Sequence, residues 1–132
     1  MKISRFEELD IWQDARSLCK FVFQLTSKEP FCKDYRFRDQ IRAASGSIMD
    51  NIAEGFERGG NKEFSQFLNI AKGSCGETRS QSYRAYDYEY ISDDDFKELL
   101  NRTLNLNRKI SNLTSYLKKS TYKGHKFRNV QA

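Results

Sequence analysis

The sequence predicts an all-α fold, an up-down-up-down antiparallel four-helix bundle, and three observations lead there. A single proline (Pro30) and seven glycines among 132 residues leave long uninterrupted stretches. Apolar residues recur at three- and four-residue steps in four separate segments. The connections between them, at about 28–33, 59–60 and 91–92, are short enough to make successive helices antiparallel neighbours.

The first segment follows Ser4 and Asp10, both N-cap residue types, and Ser4 with Glu7 fits a capping box. Its stripe runs Ile11, Ala15, Leu18, Val22, Leu25, with Trp12 and Cys19 beside it. The helix is expected to stop near Ser27, because Pro30 forces the preceding residue into an extended shape. Phe21 and Phe23 fall off the stripe and widen the apolar face, which calls for more than one neighbour. The second helix spans Asp34 to about Arg58. Ile41, Ile48 and Ile52 cluster within about 40° on its wheel, with Asp39, Asp50, Glu54 and Glu57 on the opposite arc. Gly59-Gly60 then ends it, since glycine accepts the left-handed conformation of a C-terminal cap.

Asn61 is the expected N-cap of the third helix, with Glu63 suited to the positive end of its dipole. The stripe there is Phe64, Phe67, Leu68, Ala71, Cys75, Thr78, Ser82 and Tyr86, and it weakens toward the C-terminal half. Ser92-Asp93-Asp94-Asp95 opens the fourth helix with a cap and three acids. Phe96, Leu99, Thr103, Leu106, Ile110, Leu113 and Leu117 follow as an unbroken a/d seam, the strongest periodic signal in the chain. The bundle domain is therefore placed at residues 1–119, with 120–132 as a basic tail without periodicity.

The run Ala43-Ala44-Ser45-Gly46-Ser47 thins the second helix at one level. If the chain folds back at Gly60, residues whose numbers sum to about 120 lie level across the two helices. The thin run then meets Gly73-Ser74-Cys75-Gly76, and Asn51 lies level with Asn69. Ala44, Ser45, Ser47, Asn51, Ser74 and Cys75 are read as helix-packing residues at this crossing. Glycine costs a helix on the order of 1 kcal/mol against alanine, so close packing is the expected compensation.

Composition excludes several function classes. Three cysteines without C-x-x-C spacing read as free thiols in a reducing compartment. One histidine, His125, removes most histidine metal sites and the Ser-His-Asp triad. The absence of a long apolar run and of a charged-then-apolar leader predicts a cytoplasmic protein without membrane contact. No cofactor and no metal are expected. Glu54 has no second catalytic group fixed beside it and reads as an ion-pairing or hydrogen-bonding residue, and Asn51 as an inter-helix bridge. Asp93 to Asp95 serve the helix dipole rather than a metal. Cys75 reads as a small hydrophobe. The GGNK and KGSCG glycines match neither a P-loop nor a dinucleotide fingerprint.

Charge is unevenly placed. Lys118, Lys119, Lys123, Lys126 and Arg128 stand in a C-terminal segment without an acid, and basic and acidic residues are equal over 1–117. The net charge of +5 and the pI near 9.1 thus describe that segment. Its five cations are the candidate nucleic-acid contacts. Tyr83, Tyr86 and Tyr90, at helical spacing and beside Arg79 and Arg84, suit either base stacking or a subunit contact, and the subunit contact is preferred.

The stretch QIRAASGSIMDNIAEGFERGGNKEFSQFLNIAKGSCGE, with FEELDIW at Phe6 to Trp12 and Tyr90-Ile91, resembles the four-helix-bundle family of small bacterial proteins first noticed as reading frames inside 23S rRNA intervening sequences. The likeness covers roughly residues 5 to 118, with Gly46 in the free position before Ser47-Ile48. It implies a homopentameric ring with a central channel. The family is similar to the accessory variability protein of diversity-generating retroelements, a basic ring that contacts a reverse transcriptase and nucleic acid. The functional expectation is a non-enzymatic, ring-forming interaction scaffold with itself, and a further protein, as partners. The alternative is an RNA- or DNA-binding accessory protein, for example of a reverse transcriptase.

Overall fold

The computed structural model describes residues 2–122. Four helices form an antiparallel bundle: α1 Asp10–Thr26, α2 Tyr35–Glu57, α3 Asn61–Asp87 and α4 Asp93–Tyr122, with short 3-10 turns at Phe6–Glu8 and Phe31–Lys33. Each helix packs on its chain neighbours, and α4 also closes on α1. The described residues contain no strand.

Periodicity carries the core as expected. Ile11, Ala15, Leu18, Val22 and Leu25 are buried on α1, and Ile41, Ile48, Ile52 and Phe56 on α2. The α4 seam is buried from Leu99 through Thr103, Leu106, Ile110 and Leu113 to Leu117. Thr78, Ser82 and Thr103 sit in this interior because each hydroxyl donates to a carbonyl one turn back, at 2.8–2.9 Å. That satisfies an otherwise costly buried group and accounts for the weakening stripe of α3. Phe21 and Phe23 do meet different neighbours: Arg102 of α4 lies 5.1 Å from the Phe21 ring, and Arg42 of α2 lies 4.4 Å from the Phe23 ring.

Several helix ends differ from expectation. The N-H groups of Ser4 and Arg5 donate to Glu8 Oε1 at 2.9 and 3.2 Å, so Glu8 closes the first turn instead of Glu7. Asp10 does not cap α1. Leu9 holds that position, and the Asp10 carboxylate turns to Lys109 of α4. Gly60 takes the cap position expected of Asn61, which becomes the first residue of α3 and is buried. Gly59, at φ +87°, ends α2 as the sequence implies. α3 stops at Asp87 because Glu89 adopts φ 60°, and Tyr90 N-H then closes on Ala85 C=O at 2.9 Å. α4 runs past residue 119 to Tyr122, with Ser120 buried.

The hairpin register matches the arithmetic. Ser74 Oγ donates to Ser47 Oγ at 2.9 Å. The close approach itself lies elsewhere. A side chain on Gly46, Gly73 or Gly76 would meet nothing within 4 Å, whereas a Cβ on Gly55 would fall 2.6 Å from Phe67 Cβ and 3.0 Å from Phe64 Cδ1. The glycine that packing demands is Gly55, one turn from the hairpin; the other three border open space.

Two polar contacts tie elements distant in sequence. Lys109 Nζ donates to Asp10 and Asp14 at 2.6 and 2.8 Å, joining α4 to α1, and these bonds raise the Lys109 pKa. At the opposite end, Asp34 accepts from Phe37 N-H at 3.3 Å and from the Tyr90 hydroxyl at 2.8 Å. One carboxylate thereby caps α2 and holds the α3–α4 connection. Phe31 and Phe37 flank the Tyr90 ring at 4.9 and 6.3 Å. Pro30 follows a cis peptide bond in the same connection.

Gly55→Ala is expected to destabilise the fold by about 1–3 kcal/mol through overpacking, despite alanine's better helix propensity. Gly73→Ala and Gly76→Ala should each stabilise it by up to about 1 kcal/mol. Urea unfolding of the three variants separates the two effects. Lys109→Met should cost about 1 kcal/mol near neutral pH, the size expected of a partly exposed charged pair. A raised lysine pKa means that this contribution is complete below the ordinary value and is lost as pH climbs through the raised one. Wild type and variant should therefore converge in melting temperature only under strongly alkaline conditions.

Candidate functional site

The six packing residues face three ways. Ser47 and Ser74 meet across α2 and α3. Asn51 does not bridge to Asn69. Its amide donates to the carbonyl and hydroxyl of Ser47, one turn back, at 2.8 and 2.9 Å, so it reaches α3 only through that serine. Ser45 is buried toward α1, where its carbonyl accepts the Cys19 thiol at 3.0 Å. Cys75 turns the other way and donates to Thr103 C=O of α4 at 3.2 Å. Ala44 is buried beside the α2–α3 groove.

The titratable groups are set for structure. Burial pushes the Cys75 thiol up to about 11 and also raises Cys19, the opposite of what an activated nucleophile needs. Glu54 pairs with Arg58 on the exposed face of α2, at 3.0 Å. Ser92 Oγ accepts the Asp95 N-H at 3.1 Å, and the three acids occupy the first turn of α4. Among the described residues no group of three or more His, Cys, Asp or Glu side chains converges on a metal-sized position. No helix among them is long and apolar enough to cross a membrane.

The tyrosine row divides. Tyr83 and Tyr86 both pack on Phe96 of α4, at centroid distances of 5.0 and 4.4 Å, and remain 50% and 37% exposed. The bond the Tyr86 hydroxyl donates to the Asp93 carboxylate is the main cause of its raised pKa. Tyr90 leaves this face, because the left-handed Glu89 breaks the helical spacing and turns its ring inward. Its hydroxyl pKa is raised chiefly by the bond to Asp34. Lys118 and Lys119 are exposed on the last turns of α4, with no acidic partner among the described residues. Lys123, Lys126 and Arg128 lie outside the described residues.

A groove along the outer side of α2 and α3 was not legible as a site. Small residues form its floor, and Gln81 and Glu77 line it near Ser47 and Ser74. The available signal was Gln81, a polar residue beside the α3 stripe. It is 5% exposed, and its Oε1 is the one buried side-chain nitrogen or oxygen among the described residues without a hydrogen-bond partner.

The family model for the 23S rRNA-intervening sequence protein matches residues 7–112. The chain belongs to that family. Among solved structures, a protein of unknown function from the S23 ribosomal protein family of Bacteroides thetaiotaomicron superposes with a TM-score of 0.72. It is 20% identical, over 80% of this chain and 95% of that one, a likeness that shows the fold. No curated protein matches the sequence. The intervening-sequence match spans α1 through most of α4 and ends before the basic residues at 118 and 119.

Proposed function

We propose that this intervening-sequence family member is a non-enzymatic interaction scaffold that assembles as a ring of five copies. The observation that carries the reading is the Tyr83–Tyr86 pair. Both rings are held on Phe96 across the α3–α4 seam and yet stay exposed, which supplies large, preorganised contact area at little entropic cost. A contact between unlike faces closes into a ring when its rotation divides the circle. The pKa pattern of the thiols favours a binding role over covalent chemistry.

A second reading rests on Lys118 and Lys119. Exposed, without an acidic partner among the described residues and continuous with three further cations in sequence, they suit contact with RNA or DNA phosphates, as in an accessory protein of a reverse transcriptase.

Sedimentation velocity tests the scaffold. The expected species has five times the 15.5 kDa chain mass, and Tyr83→Ser with Tyr86→Ser should shift it to smaller species while helicity is retained. A clean monomer of the unaltered chain at micromolar concentration refutes the ring. For the second reading, Lys118→Gln with Lys119→Gln, combined with removal of residues 123–132, should abolish retention on a polyanion column at moderate salt. Unchanged retention refutes that assignment.

A further inference from the structure

Two faces of the bundle meet at α3, one recessed and one raised. On the α2–α3 side, cavities of about 460 and 310 Å³ share Gln40 and Arg84 in their linings and form one groove. Small side chains line it at Ala43, Ala44, Ser47 and Ser74, and its far end reaches Arg36 and Tyr88. From Ser74 to Arg84 the groove runs roughly 15 Å along α3.

A ridge stands on the α3–α4 side. Tyr83 and Tyr86 pack on Phe96 and stay exposed. Leu100 and Leu104 follow Phe96 at four-residue steps, which keeps them on one side of α4. Leu104 is 50% exposed. The Cys75 thiol donates to Thr103 C=O, so Leu104 stands near the level of Ser74. The ridge therefore spans the same stretch of α3 as the groove, on the other flank of that helix.

Charge on the two faces is opposite level by level. At the Tyr86 end the ridge carries Asp93, which accepts the Tyr86 hydroxyl proton. At that end the groove holds Arg36 and Arg84, both exposed, with the Arg84 guanidinium braced 4.2 Å from the Phe37 ring. About two turns along, the signs exchange: Glu77 lines the groove, and Arg79 precedes Tyr83 by one turn on the ridge side. None of these three arginines forms an ion pair among the described residues. The groove walls mix donors and acceptors at Gln40, Ser80 and Glu77, which suits tyrosine hydroxyls, since they do both.

The placement of the faces also matters. Faces on opposite sides of a subunit build a row of copies. Faces that share one helix of a four-cornered bundle stand roughly at a right angle, close to the corner of a five-membered ring, about 108°. A contact at equal height closes on itself, whereas one with a rise along the bundle winds into a filament.

We propose that the ridge of one copy seats in the groove of the next, with Asp93 against Arg36 and Arg84, and Arg79 against Glu77. This assigns both surfaces of the ring proposed above and rests on that reading. The small residues of α2 then form a socket that admits the neighbour's aromatic rings.

Sedimentation of mixed variants tests the pairing, with circular dichroism checking that helicity is kept. Ala43→Trp fills the groove from an exposed position, and Tyr83→Ser with Tyr86→Ser flattens the ridge. Each variant alone is expected to lose the ring. Mixed, the first still offers a ridge and the second a groove, so together they should sediment at twice the chain mass and no larger. Arg36→Glu with Arg84→Glu in the groove-bearing copy should weaken that dimer about tenfold or more. Should Ala43→Trp lose helicity, Ser80→Trp on the opposite wall takes its place. A mixture that stays monomeric at high micromolar concentration overturns the pairing, and so does a dimer indifferent to the two arginines. An unaltered chain that forms a ring, beside a groove-filled variant that forms it equally well, removes the groove and leaves the ring standing. A monomeric unaltered chain removes both.

Discussion

Gly55 sets the spacing on which the bundle depends. With no side chain there, Phe64 and Phe67 of α3 press against α2 one turn from the hairpin, and even a methyl group would overlap Phe67. This fixes how closely the two central helices begin. Farther along, Ser47 and Ser74 still touch through their hydroxyls. α1 and α4 then pack on a pair whose register is already decided, and Lys109 joins their outer edges.

Much of this was legible because it follows from periodicity and stop signals. The α1 stripe and the α4 seam are buried as read, and counting back from Gly60 placed Ser47 opposite Ser74. What failed depends on which way a side chain turns within a correctly placed helix. Gly46, Gly73 and Gly76 share the level of the crossing but point to open space, so they could not be told from Gly55 by spacing alone. Asp10 is a capping residue by type, yet an ion pair to Lys109, distant in sequence, outcompeted the cap. Tyr90 was placed on a face with Tyr83 and Tyr86 because helical spacing was extended past Asp87. A non-glycine residue in the left-handed region, Glu89, gives no warning in a single sequence.

The candidate sites show the same division. Exposed aromatic and basic positions could be named from sequence, because exposure there follows from charge and spacing. The α2–α3 groove could not, because it is defined by what is missing. A floor of alanine and serine and an unpaired amide oxygen emerge only once the helices are set side by side. The thin run in α2 therefore has two consequences. Its inward members let the core close, and its outward members leave a recess.

The bond between Tyr90 and Asp34 spans 56 residues and joins the two ends of the α2–α3 hairpin at its root. The hairpin is in effect a closed loop, clipped where it would otherwise splay. Opening α2 from α3 at that end releases the helix cap and the clip together, since both use one carboxylate. The central pair is thereby built to detach or hold as a unit, and amide exchange along it should report a single cooperative block rather than fraying from each helix end.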